Sequence, residues 1–98
     1  MASTTLEPIV LESVAAGFSA LGDPIRLRIL GALVGGQRCV CELLEEVAIA
    51  PNLLSYHLRV LRESGLVASS RRGRWVDYRL DPDGLAALVD AIPAEHPA

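Results

Sequence analysis

"CVCELLEEVAIAPNLLSYHLRVLRESG", residues 39–65, holds two helical patterns separated by a turn, and the difference between them decides the fold. In "CVCELLEEV" the acidic side chains Glu42, Glu45 and Glu46 fall on one side, and the apolar residues fall on the other. Ile49-Ala50-Pro51 reads as a tight turn. Pro51 suits the first position of the next helix, where a missing N–H costs nothing. In "NLLSYHLRVLRESG", Leu54, Leu58 and Leu61 form a buried stripe, and Gly65 stands where a left-handed C-cap belongs. Asn52, Ser55, Tyr56 and Arg59 lie at i, i+3, i+4 and i+7 on the opposite side. These groups form directional hydrogen bonds, unlike the Glu and Lys of an idle solvated helix. His57 lies between the polar face and the leucine stripe and reads as a packed, hydrogen-bonded histidine.

Upstream, "LEPIVLESVAAGFSAL" (Leu6–Leu21) repeats apolar residues at three and four: Val10, Val14, Phe18 and Leu21, with Ile9 and Leu11 widening the stripe. "GDPIRLRILGAL" then starts a second helix, with Asp23 as N-cap and Pro24 at its first position. Ile25, Leu27, Ile29, Leu30, Leu33 and Val34 make that helix apolar on most sides, as a central helix would be, and Gly35-Gly36 ends it. Downstream the period changes from helix to strand. "LVASS" and "WVDYRL" flank "RRGR" as a hairpin with Gly73 in its turn. Trp75, Asp77 and Arg79 alternate with Val76, Tyr78 and Leu80, and Trp75 and Tyr78 read as structural residues. "DPDGLAALVDAI" closes the chain as a helix capped by Asp81, with Leu85, Leu88, Val89 and Ile92 inward. The expected order is ααααββα, a mainly α chain with a small β-hairpin. Residues 1–98 form one domain, with 1–5 and 93–98 as flexible tails.

A short helix, a tight turn, a polar-faced helix and a basic hairpin describe a winged helix-turn-helix. Its second helix enters the DNA major groove, where base edges present distinct donor and acceptor patterns. Asn52, Ser55, Tyr56 and Arg59 are the groups placed against bases and adjacent phosphates. Arg62 meets phosphate, and Arg71, Arg72 and Arg74 at the hairpin suit phosphates or the minor groove.

The charge distribution agrees, although the net charge of −3 alone points the other way. All nine basic residues are arginine. Six of them fall between Arg59 and Arg79 against Glu63 and Asp77, a local charge of +4 that leaves −7 on the remainder. No apolar run approaches the roughly 18–20 residues of a membrane span. No basic region leads into an apolar one at the N-terminus, and two cysteines make no secreted disulfide framework. A cytoplasmic chain with no membrane association is expected. No phosphate-binding glycine loop or nucleophile–base constellation is visible, so an enzyme is not expected.

Four segments in order, "ALGDPIRLRILGAL", "CVCELLE", "LSYHLRVLRESGLV" and "RRGRWVDYRL", resemble the ArsR/SmtB family of metal-sensing winged helix-turn-helix repressors from about Ala20 to Ile92. The resemblance implies a homodimer through the first and last helices, two recognition helices on a pseudo-palindromic double-stranded operator, and release from DNA when a metal binds. Under that reading "CVC" matches the start of the third helix in the arsenic, cadmium and lead sensors.

Cys39 and Cys41 admit two readings by themselves. Cysteine packs as a small buried hydrophobe. Equally, at a helix start the free N–H groups favour thiolate, and a non-helical Cys39 lets the two sulfurs converge on one ion. A disulfide is not expected, because i and i+2 side chains on a helix diverge and the cytoplasm is reducing. The chain departs from the family in lacking any further cysteine, so two thiolates leave a metal site incomplete. The family's second site, on the last helix, has here Asp81 and Asp83 at its start, Gly84 where a histidine is expected, and Glu95 and His96 past Pro93. The implied cofactor is a transition-metal or metalloid ion. It would be thiophilic at Cys39 and Cys41, or nickel or zinc at Asp83, Glu95 and His96. The expected function is a dimeric, sequence-specific, metal- or metalloid-responsive DNA-binding regulator. One alternative is a family member without an inducer at the cysteines, acting as an activator or through a protein co-regulator. Another is a protein-interaction module without DNA binding, which the acidic pI of 5.2 would suit.

Overall fold

A computed structural model of the chain describes residues 8–94. Five helices and a small antiparallel sheet follow in the order α1 (Pro8–Leu21), α2 (Pro24–Ala32), β1 (Arg38–Cys39), α3 (Val40–Val47), α4 (Pro51–Glu63), β2 (Val67–Arg72), β3 (Trp75–Leu80) and α5 (Pro82–Ala91). The winged helix-turn-helix is as expected, with one addition. The predicted hairpin is a three-stranded sheet ordered β1-β3-β2, because Arg38 and Cys39 pair with Tyr78 and Asp77. The residue that caps a helix must leave helical geometry. Cys39, the N-cap of α3, is extended (φ −77°, ψ 162°) and thereby offers its backbone to β3.

Local chemistry sets the boundaries. Asp23 Oδ1 accepts from the N–H groups of Ile25 (2.8 Å) and Arg26 (3.2 Å) at the start of α2. The Arg26 N–H bond is the main reason the Asp23 carboxyl is held below its ordinary value. Asp81 caps α5 in the same way, accepting from Asp83 (3.1 Å) and Gly84 (3.3 Å). α4 ends as the sequence suggests. Gly65 has φ +80°, its N–H donates to the Arg62 carbonyl, and the Leu66 N–H reaches back to the Leu61 carbonyl, both at 3.0 Å. The two-residue turn between β2 and β3 begins with Gly73 at φ +58°, the conformation a tight hairpin requires there.

Ile29, Leu33, Leu43, Leu54, Leu58, Leu61 and Leu66 fill the core. α2 is central on one side only: Ile29, Leu30 and Leu33 are buried, while Leu27 and Val34 are exposed. α1 packs on α5, closely enough that a Cβ on Gly17 would lie 2.7 Å from Leu88 Cδ2. Both helices keep apolar side chains on the surface. Val10, Leu11 and Phe18 are exposed on α1, and Val89 and Ile92 are exposed on α5 and just past its end. Among the described residues no helix is long and apolar enough to cross a membrane.

Candidate nucleic-acid interface and cysteine pair

α3 supports and α4 presents. Leu43 and Val47 fix α3 to the core, and Arg28 Nη2 donates to the Val47 carbonyl at the end of α3 (2.8 Å). The chain then reverses through Ala48 in the left-handed region (φ 59°, ψ 51°). Ala50, whose methyl group cannot cap, precedes α4, which has Pro51 at its first position. Leu54, His57, Leu58 and Leu61 are buried, and Asn52, Ser55, Tyr56, Arg59 and Arg62 are all exposed. The five α4 residues expected at DNA therefore share the solvent side of one anchored helix. The Arg59 guanidinium carbon stands 5.8 Å from the Tyr56 ring centroid, a cation–π distance that restrains both side chains.

His57 faces inward. Its Nδ1 lies 3.0 Å from Arg26 Nη1, and because a guanidinium only donates, Nδ1 is the acceptor. Arg26 also donates through Nε to the Ala20 carbonyl (2.7 Å) and through Nη2 to that of Ser19 (3.5 Å). One α2 side chain thus joins the end of α1 to the middle of α4.

On the wing, Arg71 and Arg74 are exposed around the Gly73 turn. Arg72 departs from the expectation that it is free to reach DNA. Its Nε and Nη2 both donate to the Asp77 carboxylate, the latter at 3.0 Å. Asp77 is only 2% exposed and also accepts from Gln37 Nε2 at 3.4 Å. The guanidinium bonds hold the Asp77 carboxyl below its ordinary value against the opposing effect of burial, and they raise Arg72. Strand alternation did not reveal Asp77 as a buried group, because β3 is the middle strand. The available signal was the diagonal: Arg72 pairs with Trp75 and Ser70 with Asp77, so Arg72 and Asp77 share a face across the turn. Tyr78 is buried, as a structural residue should be, but Trp75 is 51% exposed.

Trp75 stands instead beside the cysteines. Cys39, Cys41, Glu42, Arg72 and Trp75 line an open cleft of about 410 Å³. Cys39 and Glu42 cap each other: the Glu42 N–H donates to Cys39 Sγ (3.4 Å) and the Cys39 N–H donates to Glu42 Oε1 (2.9 Å). Contrary to the expectation of no disulfide, Cys39 and Cys41 are bonded to each other. The geometric part of that expectation took both residues as helical. Cys39 is extended, which turns its side chain toward that of Cys41 with the Cα atoms 5.4 Å apart.

The candidate donors on the last helix are not assembled by the described residues. Asp83 is exposed in the first turn of α5, and Glu95 and His96 lie outside the described residues. A Cβ at position 84 would lie 1.8 Å from the Gly65 carbonyl oxygen, so no side chain fits there. No group of three or more His, Cys, Asp or Glu able to hold a metal occurs among the described residues.

The architecture has close counterparts. The family model described as "Bacterial regulatory protein, arsR family" matches residues 23–69, from the cap of α2 into β2. The Synechocystis transcriptional repressor SmtB homolog is 42% identical over 85 residues, 87% of this chain and 64% of that one. The Bacillus subtilis arsenical resistance operon repressor is 36% identical over 73 residues, 74% of this chain and 70% of that one. The solution structure of a homodimeric winged helix-turn-helix DNA-binding domain from Mycobacterium bovis, a possible ArsR-family transcriptional regulator, superposes with a TM-score of 0.75. It is 33% identical, over 84% of this chain and 79% of that domain. With its helix-turn-helix, wing and α1–α5 pairing in the same order, the chain belongs to the ArsR family of bacterial transcriptional regulators.

Proposed function

We propose that the chain works as a homodimeric, sequence-specific DNA-binding regulator that represses transcription by occupying an operator. The observation that carries this reading is the cluster Asn52, Ser55, Tyr56 and Arg59 on the exposed side of α4, with Arg71 and Arg74 exposed on the wing. In the major groove, an asparagine matches the N6/N7 edge of adenine and an arginine the O6/N7 edge of guanine, while a serine hydroxyl adapts to either donor or acceptor. Tyr56 braces Arg59, and Arg62, Arg71 and Arg74 neutralise phosphates. The exposed apolar residues of α1 and α5 supply the dimer face, in line with the homodimeric M. bovis domain. Two copies of α4 then address half-sites about one helical turn, roughly 34–36 Å, apart.

The relatives include an arsenical resistance repressor, which makes a metal or metalloid the first inducer to consider. The donor set does not fit a complete site as it stands. The two sulfurs are bonded to each other, and no third ligand joins them among the described residues.

DNA binding is tested by anisotropy, using a duplex selected from a random pool. Arg59→Ala is expected to cost about 1–3 kcal/mol and relax preference at one base position. Arg71→Ala with Arg74→Ala is expected to weaken all sequences alike and reduce the salt slope by about 2. Unchanged affinity and slope in both variants would refute binding through this face.

A further inference from the structure

Leu53 has no task in the core. It is 39% exposed in the first turn of α4, while its neighbour Leu54 is fully buried. Ile49, just before the helix, and Val60, further along it, both pack on the core, and Leu53 does not. The exposed apolar side chains of α1 and α5 belong to the dimer face, but Leu53 stands on the reading helix. It adjoins Asn52 and precedes Tyr56 by three residues, the spacing of neighbours on a helix surface, and both are exposed. Helical side chains lean toward the N-terminus, and that is the end of a recognition helix that meets base edges. α4 is also divided by charge. No arginine or carboxylate precedes Arg59, whereas Arg59, Arg62 and Glu63 follow in its second half. Phosphate contacts position a protein on DNA and base contacts specify the sequence, so the first half of α4 has the composition of a base-reading surface. Asn52 and Ser55 supply hydrogen bonds there. Hydrogen bonds cannot read the C5-methyl group, the apolar feature that thymine presents in the major groove.

We propose that Leu53 is a specificity-determining residue that reads the C5-methyl group of a thymine in each half-site, at or next to the adenine addressed by Asn52. The inference deepens the DNA-binding function above and rests on it. In the free protein Leu53 holds apolar surface in water, and so does the thymine methyl group in free DNA. Their contact removes both surfaces from water, and burying one methyl group is worth about fourfold in affinity. The other bases are rejected at this position. Cytosine presents its N4 amino donor there, and adenine and guanine present N7 acceptors. Against a leucine side chain each of these loses water and gains no partner, which costs free energy. The two halves of α4 thus address different base pairs: Asn52 and Leu53 an A·T element, Arg59 a guanine.

The test uses the full chain and the duplex it selects from a random pool. Each thymine in turn is replaced by deoxyuridine, which removes the methyl group and leaves the pairing edge and O4 in place. Affinity is read by anisotropy. Removing the methyl group of one thymine in each half-site is expected to raise Kd about fourfold. Leu53→Ala should bind the thymine and uracil duplexes alike. Leu53→Met, which keeps an apolar side chain of similar volume, should retain the difference. Arg59→Ala should weaken both duplexes by the same factor, because it acts at another base. A selected half-site without thymine, or uracil tolerated by the parent at every position, overturns the inference and leaves the DNA-binding function standing. The same holds for a Leu53→Ala protein that keeps the full difference, since another side chain then reads the methyl group. A Leu53→Ala protein that binds neither duplex assigns Leu53 to the fold and overturns the inference as well. A parent chain that selects no duplex overturns the DNA-binding function itself.

Discussion

Gly84→Ala and Gly31→Ala are the same chemical change in two helices, and the structure assigns them opposite signs. Gly84 is the third residue of α5, where the helix start presses on the turn that ends α4. An added Cβ would lie 1.8 Å from the Gly65 carbonyl oxygen and 2.8 Å from its carbon. An ordinary carbon–oxygen contact is about 3.3 Å or more, so the two backbones must part by roughly 1.5 Å. Neither yields easily. Gly65 is held in the left-handed C-cap of α4, and the Asp81 N–H is bonded to the Leu66 carbonyl at 2.9 Å. Overpacking of this kind costs about 3 kcal/mol, the upper part of its usual range. The gain in helix propensity returns at most about 1 kcal/mol. The net loss of about 2 kcal/mol corresponds to a Tm lower by roughly 10 °C in a domain of this size. Gly31, inside α2, has nothing within 4 Å of the added Cβ and no positive φ. There only the propensity gain remains, and Gly31→Ala should stabilise by roughly 0.5–1 kcal/mol. Urea unfolding of both variants at one protein concentration, held fixed because dimerisation shifts apparent stability, decides the matter. A Gly84→Ala protein as stable as the parent, or two variants moving in the same direction, would refute the packing argument.

Ala48→Gly should stabilise by about 0.5–1 kcal/mol in the same assay, because Ala48 is an alanine held at φ 59° in the helix-turn-helix turn; a loss of stability would contradict this. The Asp77 carboxyl is held below the unfolded value of 3.8, chiefly by its bonds from Arg72. Its contribution to stability is complete above that value and is lost as pH falls through the lower folded one. Asp77→Asn should therefore flatten the fall in urea midpoint below about pH 4, and an unchanged acid profile would show that the ion pair contributes nothing. Phe18→Glu, on the exposed apolar side of α1, should raise the dimer dissociation constant at least about tenfold, since burying a residue of this kind is worth about 1.5–3 kcal/mol. Sedimentation showing an intact dimer at low micromolar protein would move the dimer face elsewhere.

Most of the fold was legible because its signals are local. Asp23-Pro24, Ile49-Ala50-Pro51, Gly65 and Gly73 punctuate the chain by capping and turn chemistry that acts within a few residues. The polar face of α4 was legible because a helical period places Asn52, Ser55, Tyr56 and Arg59 together whatever surrounds them. What escaped depends on chain segments far apart in sequence. β1 exists only because Cys39 meets Asp77 across 38 residues. For the same reason Trp75 became a neighbour of the cysteines, whereas the Arg72–Asp77 pair, across the hairpin turn, could have been found from the strand register. The bridge escaped because it depends on a single backbone conformation, that of Cys39. The Gly84 contact gives a physical reason why the histidine expected from the family pattern is missing: the backbone of Gly65 occupies its place.

The Arg26 side chain carries a consequence for operator geometry. It grips the last carbonyls of α1 with one part of its guanidinium and His57 of α4 with another. With α1 in the dimer face proposed above, that grip would couple the twofold axis to α4, and so to the distance between the two copies of α4. Arg26 would then act as a ruler for half-site spacing. A chain with a looser joint at this point would still recognise each half-site, but it would accept operators whose halves are set a base pair too near or too far.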